Sequence, residues 1–135
     1  MVDRQKQFRI SITELVLFEI QPYQKENFNK AIDFDIELIL KMNRETNSIL
    51  YKTQVTIREK DTENKLASIE IDTVYELYSF DSMIKLQAPV YVIEPELNKV
   101  LSRIALGITR GFLSAQVQKT YLSQAVLPLL PVELQ

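Results

Sequence analysis

From Asp33 to Leu77 the side chains alternate in character with a period of two, in three successive runs. In the first, Phe34, Ile36, Leu38, Leu40 and Met42 fall on one side and Asp33, Asp35, Glu37 and Lys41 on the other. In the second, Ile49, Tyr51, Val55 and Ile57 alternate with Lys52, Gln54 and Arg58. In the third, Ile69, Ile71, Tyr75 and Leu77 alternate with Glu70, Asp72 and Glu76. An extended strand points successive side chains to opposite faces, so each run is a half-buried strand. The polar stretches 43–47 and 60–64 read as turns, and the three runs form an antiparallel meander with one face wet.

An earlier strand starts at Phe8, where Phe8, Ile10 and Ile12 oppose Arg9, Ser11 and Thr13. Glu14 breaks the pattern, and Leu15, Val16, Leu17 and Phe18 are apolar on both faces, so the second half of this strand is expected to be covered on both sides. Asp33, Asp35 and Glu37 share one face at a spacing that a divalent cation could use. The preferred reading is a solvated outer face whose acids oppose Lys52 and Arg58 on the next strand, with no metal bound.

Pro95 suits the first turn of a helix, and Leu97, Val100, Leu101, Ile104, Ala105, Ile108, Phe112 and Ala115 recur at helical spacing. That stripe is expected to cover the sheet, with Lys99, Ser102, Arg103, Thr109 and Arg110 on the polar side. Leu106, Leu113 and Val117 add a second, narrower apolar seam that one sheet is not expected to cover as well. Gly107 and Gly111, the only glycines of the 135 residues, lie four apart between the stripes. Each costs a helix interior about 1 kcal/mol relative to alanine, which suggests that something approaches the backbone there, such as a helix of another subunit. The competing reading is that Gly111 marks a fraying helix end.

Composition removes several function classes. The chain contains no cysteine and no histidine, hence no disulfide framework, no zinc site of the usual kind and no Cys–His or Ser–His pair. Two glycines cannot build a phosphate-cradling loop. A net charge of −2 offers no basic field for nucleic acid. The charged N-terminus is unlike a signal peptide, and no apolar stretch approaches the roughly eighteen residues of a membrane span. A single cytoplasmic domain over residues 1–135, with no cofactor and no membrane insertion, is the expectation.

The C-terminal third carries a family resemblance. Thr109-Arg110-Gly111-Phe112-Leu113 within a helix, followed by Leu127-Pro128-Leu129-Leu130-Pro131-Val132, together with a first strand ending at Phe18-Glu19 and the meander, resembles the SecB export-chaperone family. The resemblance implies an α+β fold, a four-stranded antiparallel sheet followed by a long C-terminal helix. It also implies a dimer of dimers, with helices sandwiched between sheets and Leu106, Gly107, Arg110, Gly111, Leu113 and Val117 at the interface. The family's second helix and zinc-binding tail have no counterpart past Pro131, so the fold is expected to be shortened there.

Members of that family hold unfolded or nascent polypeptides in apolar grooves without ATP, often before export. By position the groove falls on Tyr23 and Phe28 after strand one, Phe34 and Ile36 at the start of strand two, and Tyr121, Leu122 and Val126 after the helix. For each of these the competing role is core packing. Glu19 and Glu70 stand where family members present acids to the SecA motor. The function so implied is a holdase acting as a homo-oligomer, expected to be a tetramer. The alternative is an oligomeric structural or assembly protein with the same fold and no clients. A hot-dog thioesterase would need a polar or acidic residue facing a pocket, and the expected sheet-facing stripe is apolar.

Overall fold

The computed structural model describes residues 8–22, 31–87, 90–123 and 127. Four long strands, β1 (Phe8–Ile20), β2 (Ile32–Asn43), β3 (Ser48–Glu59) and β4 (Lys65–Leu77), form one antiparallel sheet in the order β1-β4-β3-β2. The three alternating runs are β2, β3 and β4, and they pair as a meander. β1 closes onto the far side of β4, so strands consecutive in the chain stand at opposite edges. Asn47 and Asp61 take positive φ in the two turns, a conformation that short polar side chains tolerate. The Asn43 carboxamide accepts from the Glu45 and Thr46 amides and holds the first turn.

A short helix α1 (Phe80–Met83) and a hairpin of β5 (Ile84–Gln87) with β6 (Val90–Ile93) then lead into the long helix α2 (Pro95–Val117). Four-residue strands carry too little periodicity to be read from sequence, and this second sheet was not expected. At the start of α2 the Glu94 carboxylate accepts from the Glu96 and Leu97 amides, and Pro95 occupies the first turn, where its missing N–H costs nothing. The helix continues past Gly111 to Val117, which rules out a frayed end at that glycine.

β1 departs from its expected pattern. Its register with β4 shifts between Ile10 and Ile12 and again between Leu15 and Leu17. The first bulge turns Ile12 to the outer face opposite Val74, away from Phe8 and Ile10. The second leaves Val16 out of the ladder. Val16 and Leu17 are both exposed, so the second half of the strand is not covered on both sides. An edge strand with bulges cannot be sandwiched by one helix.

The helix corrects the expectation of two stripes. Its buried residues are Leu97, Leu101, Ala105, Thr109, Leu113 and Val117, each four after the last, with Ser102 and Leu106 beside them. Four residues turn an α-helix by 400°, so a line of such positions winds about 40° per step around the axis. That line follows α2 along the twisted sheet, from Tyr51 and Tyr75 to Val55 and Ile57. Leu106, Leu113 and Val117 are therefore the continuation of the Leu97–Ala105 face and pack on the chain's own sheet. Val100, Ile104, Ile108 and Phe112 are only half-buried on one flank, and Ala115 is exposed.

The core divides in two. One cluster joins Ile49, Tyr51, Tyr75 and Leu77 to Phe80, Met83, Ile84, Ile93, Leu97, Leu101 and Ala105. The other joins Val55, Ile57, Leu66, Ala67, Ile69 and Ile71 to Leu113, Val117, Leu122 and Leu127. Between them lie the buried threonines Thr53, Thr73 and Thr109. Thr109 donates to the Ala105 carbonyl, whereas the Thr53 and Thr73 hydroxyls are buried without a partner among the described residues. Two tyrosines seat the first half of α2. Tyr51 donates to Asn98 Oδ1 at 2.6 Å and Tyr75 to the Leu101 carbonyl at 2.7 Å, and their rings meet edge to face.

Candidate functional site

The site-forming feature is apolar surface that the fold leaves open. α2 packs over β3, β4 and β1. The inner face of β2 is thus only partly roofed. Phe34, Ile36, Leu38 and Met42 are half-buried along it, and Leu40 is 36 % exposed. A second patch lies on and beside the β5–β6 hairpin, where Leu86 and Tyr91 are 62 % and 42 % exposed and Tyr78 and Val90 are also open. The Tyr91 ring meets the buried Phe80 edge to face, which fixes the hairpin on the first core. Nothing in the period-two runs pointed to the hairpin. Its signal was the sequence Val90-Tyr91-Val92-Ile93, apolar and β-branched just ahead of Pro95.

The residues expected in the groove separate into three groups. Phe34 and Ile36 lie side by side on one face of β2 and are half-buried. Tyr121 is half-buried against the second core and its hydroxyl donates to the Gln21 carbonyl at 2.9 Å, with burial pushing its pKa up. Leu122, at 2 % exposure, is core rather than groove within the chain. Tyr23, Phe28 and Val126 lie outside the described residues.

The expected interface residues also divide. Leu113 and Val117 are sealed against the sheet, at 1 % and 0 % exposure, and Leu106 is nearly so. They give no outward seam, because the winding line of contact has already used them. Gly107 and Gly111 are exposed, and a Cβ built on either would meet nothing within 4 Å. Among the described residues no close approach accounts for these glycines. With Arg110 half-exposed beside them and Ile104, Ile108 and Phe112 on the flank, they leave a bare strip along the outer side of α2.

The outer face of the sheet is a lattice of ion pairs. Arg58 donates to Asp35 at 2.9 Å across β2 and β3. Lys52 turns away from the acids of β2 and toward β4, reaching Asp72 at 3.1 Å and Glu70 at 3.5 Å, while Gln54 donates to Glu70 at 2.6 Å. Arg9 binds Glu76. The hydrogen bonds to Asp72, Asp35 and Glu76 respectively hold the cations Lys52, Arg58 and Arg9 above their ordinary pKa values. Glu19 is exposed, whereas Glu70 is already engaged. Among the described residues no group of three acids is placed to hold a metal ion, and no helix is long and apolar enough to cross a membrane.

A four-stranded antiparallel sheet covered by one long helix, with a small hairpin between them, defines a SecB-like α+β fold. A solved structure with this fold is a Mycobacterium tuberculosis SecB-like chaperone in complex with a ChAD peptide from the HigA1 antitoxin. It matches with a TM-score of 0.62 at 15 % identity, covering 93 % of this chain and 89 % of that chain. No family model and no curated protein matches the sequence. The likeness at that identity is one of fold.

Proposed function

We propose that this protein is an ATP-independent holdase that binds unfolded or nascent polypeptides along its open apolar surface. The observation that carries the reading is the inner face of β2, an apolar row from Phe34 to Met42 that the helix leaves half-uncovered. Contiguous exposed apolar surface of this kind marks an interaction site. The fold is consistent with it, because the solved chaperone of the same fold is a peptide complex. Holding needs no catalytic group, which fits a chain without histidine or cysteine. The working form is a homo-oligomer, a tetramer in the fullest version, with the bare strip at Gly107 and Gly111 as contact. Service to protein export through a SecA-type motor is the outer extension, and of the two expected acids Glu19 is the one open to it.

The test is aggregation of a chemically unfolded model protein with and without this chain, in the absence of nucleotide. Suppression by the wild type, weakened by Leu40→Ser together with Leu86→Ser at unchanged thermal stability, is the expected result. Absence of suppression by the folded wild type refutes the reading. The second reading, an assembly protein that holds no client, is favoured by the glycine strip alone and takes over in that event.

A further inference from the structure

The helix side and the outer sheet side of the molecule carry opposite charge, and on each side the charge borders apolar surface. On α2, Arg103 and Arg110 are seven residues apart, about 20° short of two full turns, so they stand on one side of the helix about 10 Å apart along its axis. Neither has an ion-pair partner among the described residues. Gly107 and Gly111 lie exposed beside them, and Val100 and Ile104 are half-buried on the flank of this strip.

The outer face of the sheet has the complementary character. Ile12, Val74 and Leu50 are direct neighbours across β1, β4 and β3, an apolar row in which Ile12 is 52 % exposed and the other two are half-buried. Around the row the acids are in excess. Lys52 is shared between Asp72 and Glu70. Glu14, Glu19 and Glu37 are exposed on the same face with no ion pair among the described residues, more than Lys41 and Lys65 offset there.

A contact of α2 with its own copy does not use this arrangement. In an isologous contact each residue near the two-fold axis faces its own mate. Centred on Gly107 and Gly111, such a contact brings Arg110 toward Arg110 of the second copy, and like charges set together cost energy. The acidic face of a second copy removes that cost, and the glycines let the helix backbone approach it closely.

We propose that the outer strip of α2 docks on the outer face of the sheet of a second copy, the glycines over the Ile12, Val74 and Leu50 row and the two arginines toward Glu14 and Glu37. The contact is heterologous, so it closes into a ring or extends as a filament. This rests on the homo-oligomer reading and names the surface that the α2 strip meets.

The experiment measures the mass of the full chain by light scattering and sedimentation. Raising NaCl from about 50 mM to about 500 mM should weaken association of the wild type about tenfold or more. Arg103→Glu with Arg110→Glu in one variant, and Glu14→Lys with Glu37→Lys in another, should each be monomeric, with thermal midpoints close to that of the wild type. Mixed in equal amounts, the two variants should assemble again, because each then meets the opposite charge on the other. Association that salt strengthens, or a Glu14→Lys, Glu37→Lys variant that assembles like the wild type, overturns the proposal in favour of helix-to-helix pairing and leaves the homo-oligomer standing. Variants that stay apart on mixing also overturn it. A wild type that is monomeric at every salt overturns the homo-oligomer reading too, and if it then binds polyglutamate through Arg103 and Arg110 the strip belongs to a foreign acidic partner.

Discussion

Leu113→Ala separates a helix residue that belongs to the chain's own core from one that belongs to an oligomer contact. Leu113 is 1 % exposed within the chain and packs with Val55, Ile57, Ile69, Ile71 and Val117. Truncating a leucine so enclosed costs about 3 kcal/mol, the sum of lost transfer energy and the cavity left behind. A chain of 135 residues unfolds with an entropy near 0.28 kcal/mol/K, at about 2.1 cal/mol/K per residue, so the midpoint should fall by about 10 °C. Ile108→Ala, on the half-open flank, should cost about 1 kcal/mol and about 4 °C. The assay is thermal unfolding followed by far-UV circular dichroism over a hundredfold range of protein concentration. A fall of this size that is independent of concentration is expected for Leu113. A change that disappears on dilution, with the dissociated chain as stable as the wild type, would show that Leu113 is covered by a second copy and that the winding line of contact is wrong.

Thr53→Val and Thr73→Val each replace a buried hydroxyl lacking a partner by a methyl of similar shape, and each should stabilise by about 1 kcal/mol, raising the midpoint by about 4 °C. A fall in either midpoint means that the hydroxyl is satisfied in solution. Burial raises the pKa values of Tyr51 and Tyr75 above their ordinary value of 10.0. The unfolded chain therefore loses these protons first as pH rises, and the stability they confer is full below about 10 and declines above it. Urea unfolding between pH 8 and 11 should show this decline, and Tyr75→Phe should flatten it; equal slopes would count against the burial. Gly111→Leu adds a side chain whose Cβ meets nothing within 4 Å among the described residues, so it should leave the single chain no less stable while lowering the oligomer mass in light scattering, with Ser114→Ala as the silent control. An unchanged mass removes Gly111 from the interface.

The strands were legible because β2, β3 and β4 each keep one face wet, which writes a period of two into residues such as Phe34, Asp35 and Ile36. β1 was legible only to Ile10, since a bulge inserts a residue without any mark in the pattern and reverses every face that follows. The helix was legible in extent, from Pro95 to Val117, but not in facing. A stripe of large apolar residues assumes a straight line of contact, and Thr109 lies inside the buried line while Ile108 lies off it. Phe34 and Ile36 came into consideration through the family resemblance, because hydrophobicity alone does not distinguish groove from core, and both are half-buried on β2. Leu122 looked equally suitable and is core. The hairpin patch at Leu86 and Tyr91 was missed because short strands leave no periodic record.

The division of the core into two clusters has a consequence for how the chain comes into being. The first cluster reaches no further along the sequence than Ala105, so the residues that complete it leave the ribosome before Leu113 and Val117 do. The second waits for Leu113, Val117, Leu122 and Leu127. Through that interval Val55, Ile57, Ile69 and Ile71, already aligned on neighbouring strands, have no roof. A newly made copy thus presents, for the time synthesis takes to finish α2, the kind of sticky surface from which a holdase shields other chains. The slowest-arriving part of the protein is the part that makes it safe in company.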